Sequence, residues 1–143
     1  MDRNTLTISL VTLDDKVKYA AAAPGKPEIT IDYFPPVGTG EGYTSLELLL
    51  MSYTSCMSTA LLALLRGMRK TIPSLRAQAK GIVREEHPKA FTRIELALTF
   101  VSPDLAEADV IKARALAEEK YCPVYAMLRG NVEIVTSYEI TRP

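Results

Sequence analysis

The 143 residues contain no tryptophan, one histidine and two cysteines. A four-ligand zinc site of the cysteine and histidine type is therefore impossible within one chain. A Ser-His-Asp reading has only His87 to rest on, and a histidine in a proline-containing turn is expected to be exposed and inert. Charge of one sign is lacking too. Lys plus Arg is 17 and Asp plus Glu is 17, so the formal net charge is zero. A dedicated nucleic-acid binder carries a basic excess, and so does a polybasic membrane binder. Neither nucleic acid nor membrane is expected as a partner. The N-terminal stretch MDRNTLTISLVTLDDK has no basic segment followed by an apolar run, so no signal peptide is expected. The longest apolar stretch, Leu48 to Leu65, is broken by Ser52, Thr54, Ser55, Cys56, Ser58 and Thr59. That is too polar for a clear membrane span. The expected location is the reducing cytoplasm, where stable structural disulfides are uncommon.

What is present is an ordinary globular composition, 48% hydrophobic and 24% charged. The length predicts a single domain over residues 1–143, with a core of useful size. Leu6, Ile8 and Leu10 alternate with polar residues, Asp14-Asp15 reads as a turn, and Lys16 to Ala22 can return as a second strand. Ile29 to Tyr33 reads as a third strand. FPPVGTGEGY, residues 34–43, has two prolines and three glycines and must be a loop. A long helix is predicted from about Ser45 to Arg69, opened by a Thr44/Glu47 capping box and apolar nearly all round, as a central helix is. Two alternating strands follow, Leu75 to Arg84 and Arg93 to Phe100, joined by a turn at His87-Pro88-Lys89. Pro103 and Asp104 should open a second helix, with Asp104 and Glu107 as a cap pair. Pro123 can start a further helical turn with Cys122 as its N-cap, Gly130 stops it, and Val132 to Ile140 is a last strand. The order β-β-β-α-β-β-α-β predicts an α+β domain, an antiparallel sheet with two segregated helices.

Cys56 and Cys122 are the first candidates for chemistry. A helix start can favour a thiolate at Cys122. Against this, a free cysteine in an apolar helix is most often a small buried hydrophobe. The two are 66 residues apart, so the sequence alone does not bring them together. Glu47 precedes Cys56 by nine residues, which places the two on roughly opposite sides of one helix. Glu47 alone is more simply a cap residue. Tyr121, Tyr125 and Met127 are expected in the core, and the glycines of VGTGEGY lack the spacing of a dinucleotide-binding loop.

SLELLLMSYTSCMSTALLALLRGMR resembles the first-helix signature of the OsmC/Ohr family, and RALAEEKYCPVYAMLRGNVEIVTSYEI resembles its second. EEHPKAFTRIELALTF fits the middle region, and the likeness runs from about residue 27 onward, within the family most like the YhfA-like branch. The resemblance implies an intertwined homodimer in which antiparallel sheet wraps two long central helices, with sites at the subunit interface. It implies a thiol-dependent peroxidase for organic hydroperoxides or hydrogen peroxide. Cys56 would be peroxidatic and Cys122 resolving, with a catalytic disulfide reduced by an external dithiol. No metal, flavin or haem is implied. Glu47 would be a further site residue. Two departures bear on this. The hydroperoxide reductases carry a Glu ten residues before the first cysteine, where this chain has Leu46. They also use an N-terminal Arg, whereas no Arg lies between Arg3 and Arg66, only Lys16, Lys18 and Lys26. The alternative is a non-catalytic small-molecule-binding or redox-sensing dimer on the same fold.

Overall fold

The computed structural model describes residues 2–143. The chain forms two compact units, one up to Leu49 and one from Leu50 to Pro143. The first holds strands β1 (Ser9–Thr12), β2 (Tyr19–Ala22) and β3 (Ile29–Ile31) in an antiparallel sheet of order β1-β2-β3. The Asp14-Asp15 turn is closed by Asp14 Oδ1, which accepts from the Lys16 and Lys18 amides. Leu6 and Ile8 lie before β1 and are exposed.

The loop after β3 is organised by a residue the sequence did not single out. The buried Asp32 carboxylate accepts from the Tyr33, Thr39 and Glu41 amides and from the Thr39 hydroxyl. Burial pushes its pKa up, but these donors outweigh it and hold the carboxyl at about 2. Gly38 passes so close to this carboxylate and to the Tyr33 backbone that a Cβ would collide with both. The loop thus needs glycine for approach.

Helix α1 (Ser45–Gly67) opens in the first unit and runs on into the second. Its start follows the predicted box. The Glu47 amide donates to Thr44 Oγ1 at 3.2 Å, while Glu47 Oε1 accepts from the Thr44 amide and hydroxyl at 2.9 Å each. The helix stops at Gly67, earlier than predicted. Arg69 takes a left-handed φ of 64°, and the Lys70 amide donates back to the Leu65 carbonyl at 3.0 Å. That is a C-terminal cap in which Arg69 stands where glycine is usual.

In the second unit, β4 (Ser74–Val83), β5 (Phe91–Val101) and β6 (Glu133–Thr141) form a sheet with β5 central. β4 and β5 are the predicted antiparallel hairpin, with a bulge near Ile82 and Val83. The extra residue lets Phe91 share the buried face with Ile94, Leu96, Leu98 and Phe100. β6 corrects the antiparallel prediction, because it pairs parallel with β5 from Arg93↔Glu133 to Val101↔Thr141. A parallel neighbour needs a long crossover, and residues 102–132 supply it.

That crossover contains α2 (Glu107–Leu116), a π-helical turn (Ala117–Tyr121) and α3 (Pro123–Leu128). The predicted Asp104/Glu107 cap is corrected as well. Asp109 Oδ2 accepts from the Ala106 amide and opens α2. Asp104 instead accepts from the Thr71 amide and the Ser102 hydroxyl, and Glu107 accepts from the Tyr138 hydroxyl. Among the described residues α1 is the one long helix. It buries Tyr53, Met57, Ala60, Leu61 and Leu65, one stripe at helical spacing, and its remaining apolar side chains stay at least partly exposed. By length and composition alone α1 could cross a membrane, with a mean hydropathy of 1.7 over its most apolar window. That is more apolar than the interrupting polar residues suggested.

Candidate active site

Cys56 lies about three turns into α1 and is half-buried. Cys122 lies between the π-turn and α3 and is 2% exposed. Pro123 explains the break. A residue before proline is pushed out of the helical region, and Cys122 has φ −109° and ψ 97°. The preceding helix widens to close, with the Cys122 amide donating to the Ala117 carbonyl at 2.9 Å. Cys122 then caps α3 with its sulfur, which accepts from the Tyr125 amide at 3.4 Å.

These two local events place the sulfurs 3.2 Å apart, with the Cys122 thiol donating to Cys56 Sγ. Both are free thiols. A disulfide is about 2.05 Å long, so a shift of little more than an ångström would bond them. Burial pushes the Cys122 thiol up to about 11, and the Tyr125 amide lowers it by less. Desolvation therefore outweighs the helix-start effect expected from the sequence, and Cys122 keeps its proton at neutral pH.

Cys56 opens on a cavity of about 550 Å³. Ser55, Thr59, Ala60, Tyr121 and Pro123 help line it, and none of its lining residues is charged. A molecule in this cavity meets Cys56 first, with Cys122 behind it. Tyr121 and Met127, expected in the core, are 56% and 69% exposed. Tyr121 instead forms part of the cavity wall, because the π-turn carries it outward. A tyrosine beside a cysteine gives no signal of that in sequence. Tyr53, on the buried stripe of α1, stacks obliquely on Tyr125 at 6.5 Å between ring centres. Its hydroxyl and that of Thr136 are both buried without a well-formed hydrogen bond.

Glu47 is engaged at the start of α1. Its bonds from the Thr44 amide, then the Thr44 hydroxyl, hold its carboxyl below the usual range. Lys18 pairs with Glu41 at 2.9 Å. His87 is exposed in the hairpin turn. Among the described residues no cluster of three or more His, Cys, Asp or Glu side chains could hold a metal ion.

Residues 38–137 match the sequence model of the family described as OsmC-like protein. The chain belongs to the OsmC-like family. Protein YhfA of Escherichia coli K12 is 34% identical over 95 residues, covering 66% of this chain and 71% of that protein. A hypothetical protein from Aquifex aeolicus has a crystal structure matching at TM-score 0.85 and 27% identity, covering 97% of this chain and 98% of that one. An organic hydroperoxide resistance protein, OsmC, from Legionella pneumophila matches at TM-score 0.71 and 16% identity, covering 97% and 99%. The last likeness is one of fold.

Proposed function

We propose that this OsmC-like chain is a two-cysteine thiol peroxidase for organic hydroperoxides or hydrogen peroxide. The observation that carries the proposal is the pair of free thiols 3.2 Å apart, one on a cavity wall and the other buried behind it. In the first step the Cys56 thiolate attacks the outer peroxide oxygen. The O–O bond breaks, Cys56 becomes a sulfenic acid, and the alkoxide leaves with a proton as alcohol. In the second step Cys122 sulfur displaces the hydroxyl from Cys56. The S–S bond forms and the Cys122 proton leaves with the hydroxyl as water. An external dithiol restores both thiols. Because Cys122 is held at bonding range, it traps the sulfenic acid before further oxidation.

The uncharged, largely apolar lining supports an organic hydroperoxide over hydrogen peroxide as the better substrate. Glu47 is assigned to the start of the helix that carries Cys56. We assign residues 1–143 to a single functional domain, acting as a cytoplasmic homodimer. The exposed Leu6, Ile8, Leu10, Val11 and Leu13 near β1 are apolar surface that a second copy would cover. The same uncharged lining favours one second reading, a non-catalytic binding or redox-sensing dimer, since no cation in the cavity supports the Cys56 thiolate.

Intact mass tests the peroxidase against the binding reading, and sustained consumption of excess peroxide with dithiothreitol present tests it against the sensing one. One equivalent of cumene hydroperoxide is added to the reduced protein. The peroxidase loses two hydrogens per chain, Cys56→Ser blocks the loss, and Cys122→Ser leaves a sulfenic or higher acid on Cys56. Two free thiols and an unchanged mass would refute the peroxidase.

A further inference from the structure

We infer that Cys122 acts before any peroxide arrives, its S–H donating to Cys56 Sγ and holding that sulfur as the nucleophile. The inference rests on reading Cys56 as the reactive thiol. Three observations support it. First, Cys122 Sγ already accepts from the Tyr125 amide, so its own hydrogen must find another acceptor. Second, Cys56 Sγ at 3.2 Å is the acceptor it finds. Third, Cys122 is almost wholly buried, so water does not compete for that hydrogen.

The surroundings leave Cys56 few other sources of help. Of the ionisable side chains on the neighbouring π-turn, Tyr121 lines the cavity with Cys56. No lining residue of the cavity is a cation. A neutral donor is then the polar contact the Cys56 sulfur has. Donation by the Tyr125 amide into the same sulfur polarises the S–H further, as chained hydrogen bonds do. The protonated state of Cys122 at neutral pH, enforced by burial, keeps the donor available.

The arrangement divides one residue's work in time. Cys122 first stabilises the Cys56 thiolate as a donor. After Cys56 is oxidised, the same sulfur becomes the attacking atom. Serine at position 122 would retain the first task and lose the second. Alanine or valine would lose both.

The experiment measures Cys56 without peroxide. Ultraviolet thiolate absorbance at neutral pH and the rate of Cys56 alkylation by iodoacetamide, read by peptide mass, are compared in wild type, Cys122→Ala, Cys122→Val and Cys122→Ser. Circular dichroism confirms that each variant is folded. The expected result is a loss of Cys56 thiolate and roughly tenfold slower alkylation in the Ala and Val variants, the scale of a hydrogen bond to a charged group. Cys122→Ser should stay within roughly threefold of wild type. Equal thiolate absorbance in wild type, Ala and Val would overturn the inference. Valine fills the site and alanine opens it, so a change due only to access would move the two alkylation rates apart and leave absorbance unchanged. That pattern would also overturn it. Failure of the peroxidase reading is separate, since a donor-dependent thiolate in a chain that consumes no peroxide sinks that reading and leaves this one standing.

Discussion

Closing the Cys56–Cys122 disulfide should stabilise the protein substantially, and the size of the effect follows from the chain. The bond would close a loop of 66 residues. The chain-entropy relation gives roughly 4 kcal/mol for a loop of that length. The native side should cost little of this, because the sulfurs start at 3.2 Å and need to move by little more than an ångström. For a chain of 143 residues, that corresponds to a rise in Tm of roughly 10–15 °C. The assay is differential scanning calorimetry on the fully reduced protein and on protein oxidised with diamide, which needs no peroxidase activity. Free-thiol counting verifies the state of each sample. Cys122→Ser, treated identically, should show no rise. A diamide-oxidised intramolecular disulfide that left Tm unchanged or lowered it would refute the claim that the native fold already places the two sulfurs for bonding. Failure of the disulfide to form at all would do the same.

Four further outcomes are expected. Thr44→Ala removes the hydroxyl that accepts from the Glu47 amide and donates to its carboxylate, leaving only the backbone amide on that carboxylate, and should cost about 1 kcal/mol in urea denaturation. Arg69→Gly relieves a left-handed residue at the end of α1 and should raise stability by roughly 1 kcal/mol, with an unchanged midpoint counting against the cap. Asp32 has a folded-state pKa of about 2 against an ordinary 3.8. A depressed carboxylate contributes fully above its ordinary value and loses that contribution as pH falls through the folded one. Wild type should therefore lead Asp32→Asn in Tm at neutral pH and lose that lead in acid between these two values, whereas a constant lead would exclude the carboxylate as its source. Tyr121→Ala removes part of the apolar cavity wall, so kcat/KM for cumene hydroperoxide should fall by roughly tenfold while that for hydrogen peroxide stays near wild type.

Elements governed by near neighbours were legible in the sequence. Thr44 and Glu47 lie three residues apart and cap α1 as their spacing required. The β4–β5 hairpin followed from its alternation and its turn. Cys122 before Pro123 was read as an N-cap, and it is one. The start of α2 was misplaced because Asp104 had a competing partner, the Thr71 amide, 33 residues away in the chain. Asp32 passed unnoticed because it lay inside the predicted third strand, and its partners Thr39 and Glu41 reach it only when the following loop folds around it.

The sequence by itself determined the family, the order of elements, the two thiols and the absence of an arginine between Arg3 and Arg66. Each of these is local or compositional, and a local pattern carries its own physical cause. Tertiary structure alone decided that β6 runs parallel to β5, that Tyr121 walls a cavity and that two sulfurs 66 residues apart meet at 3.2 Å. It also decided that Cys122 stays protonated, since burial rather than position on a helix sets that balance. Such facts depend on which distant segments share a core, and no spacing along the chain encodes that.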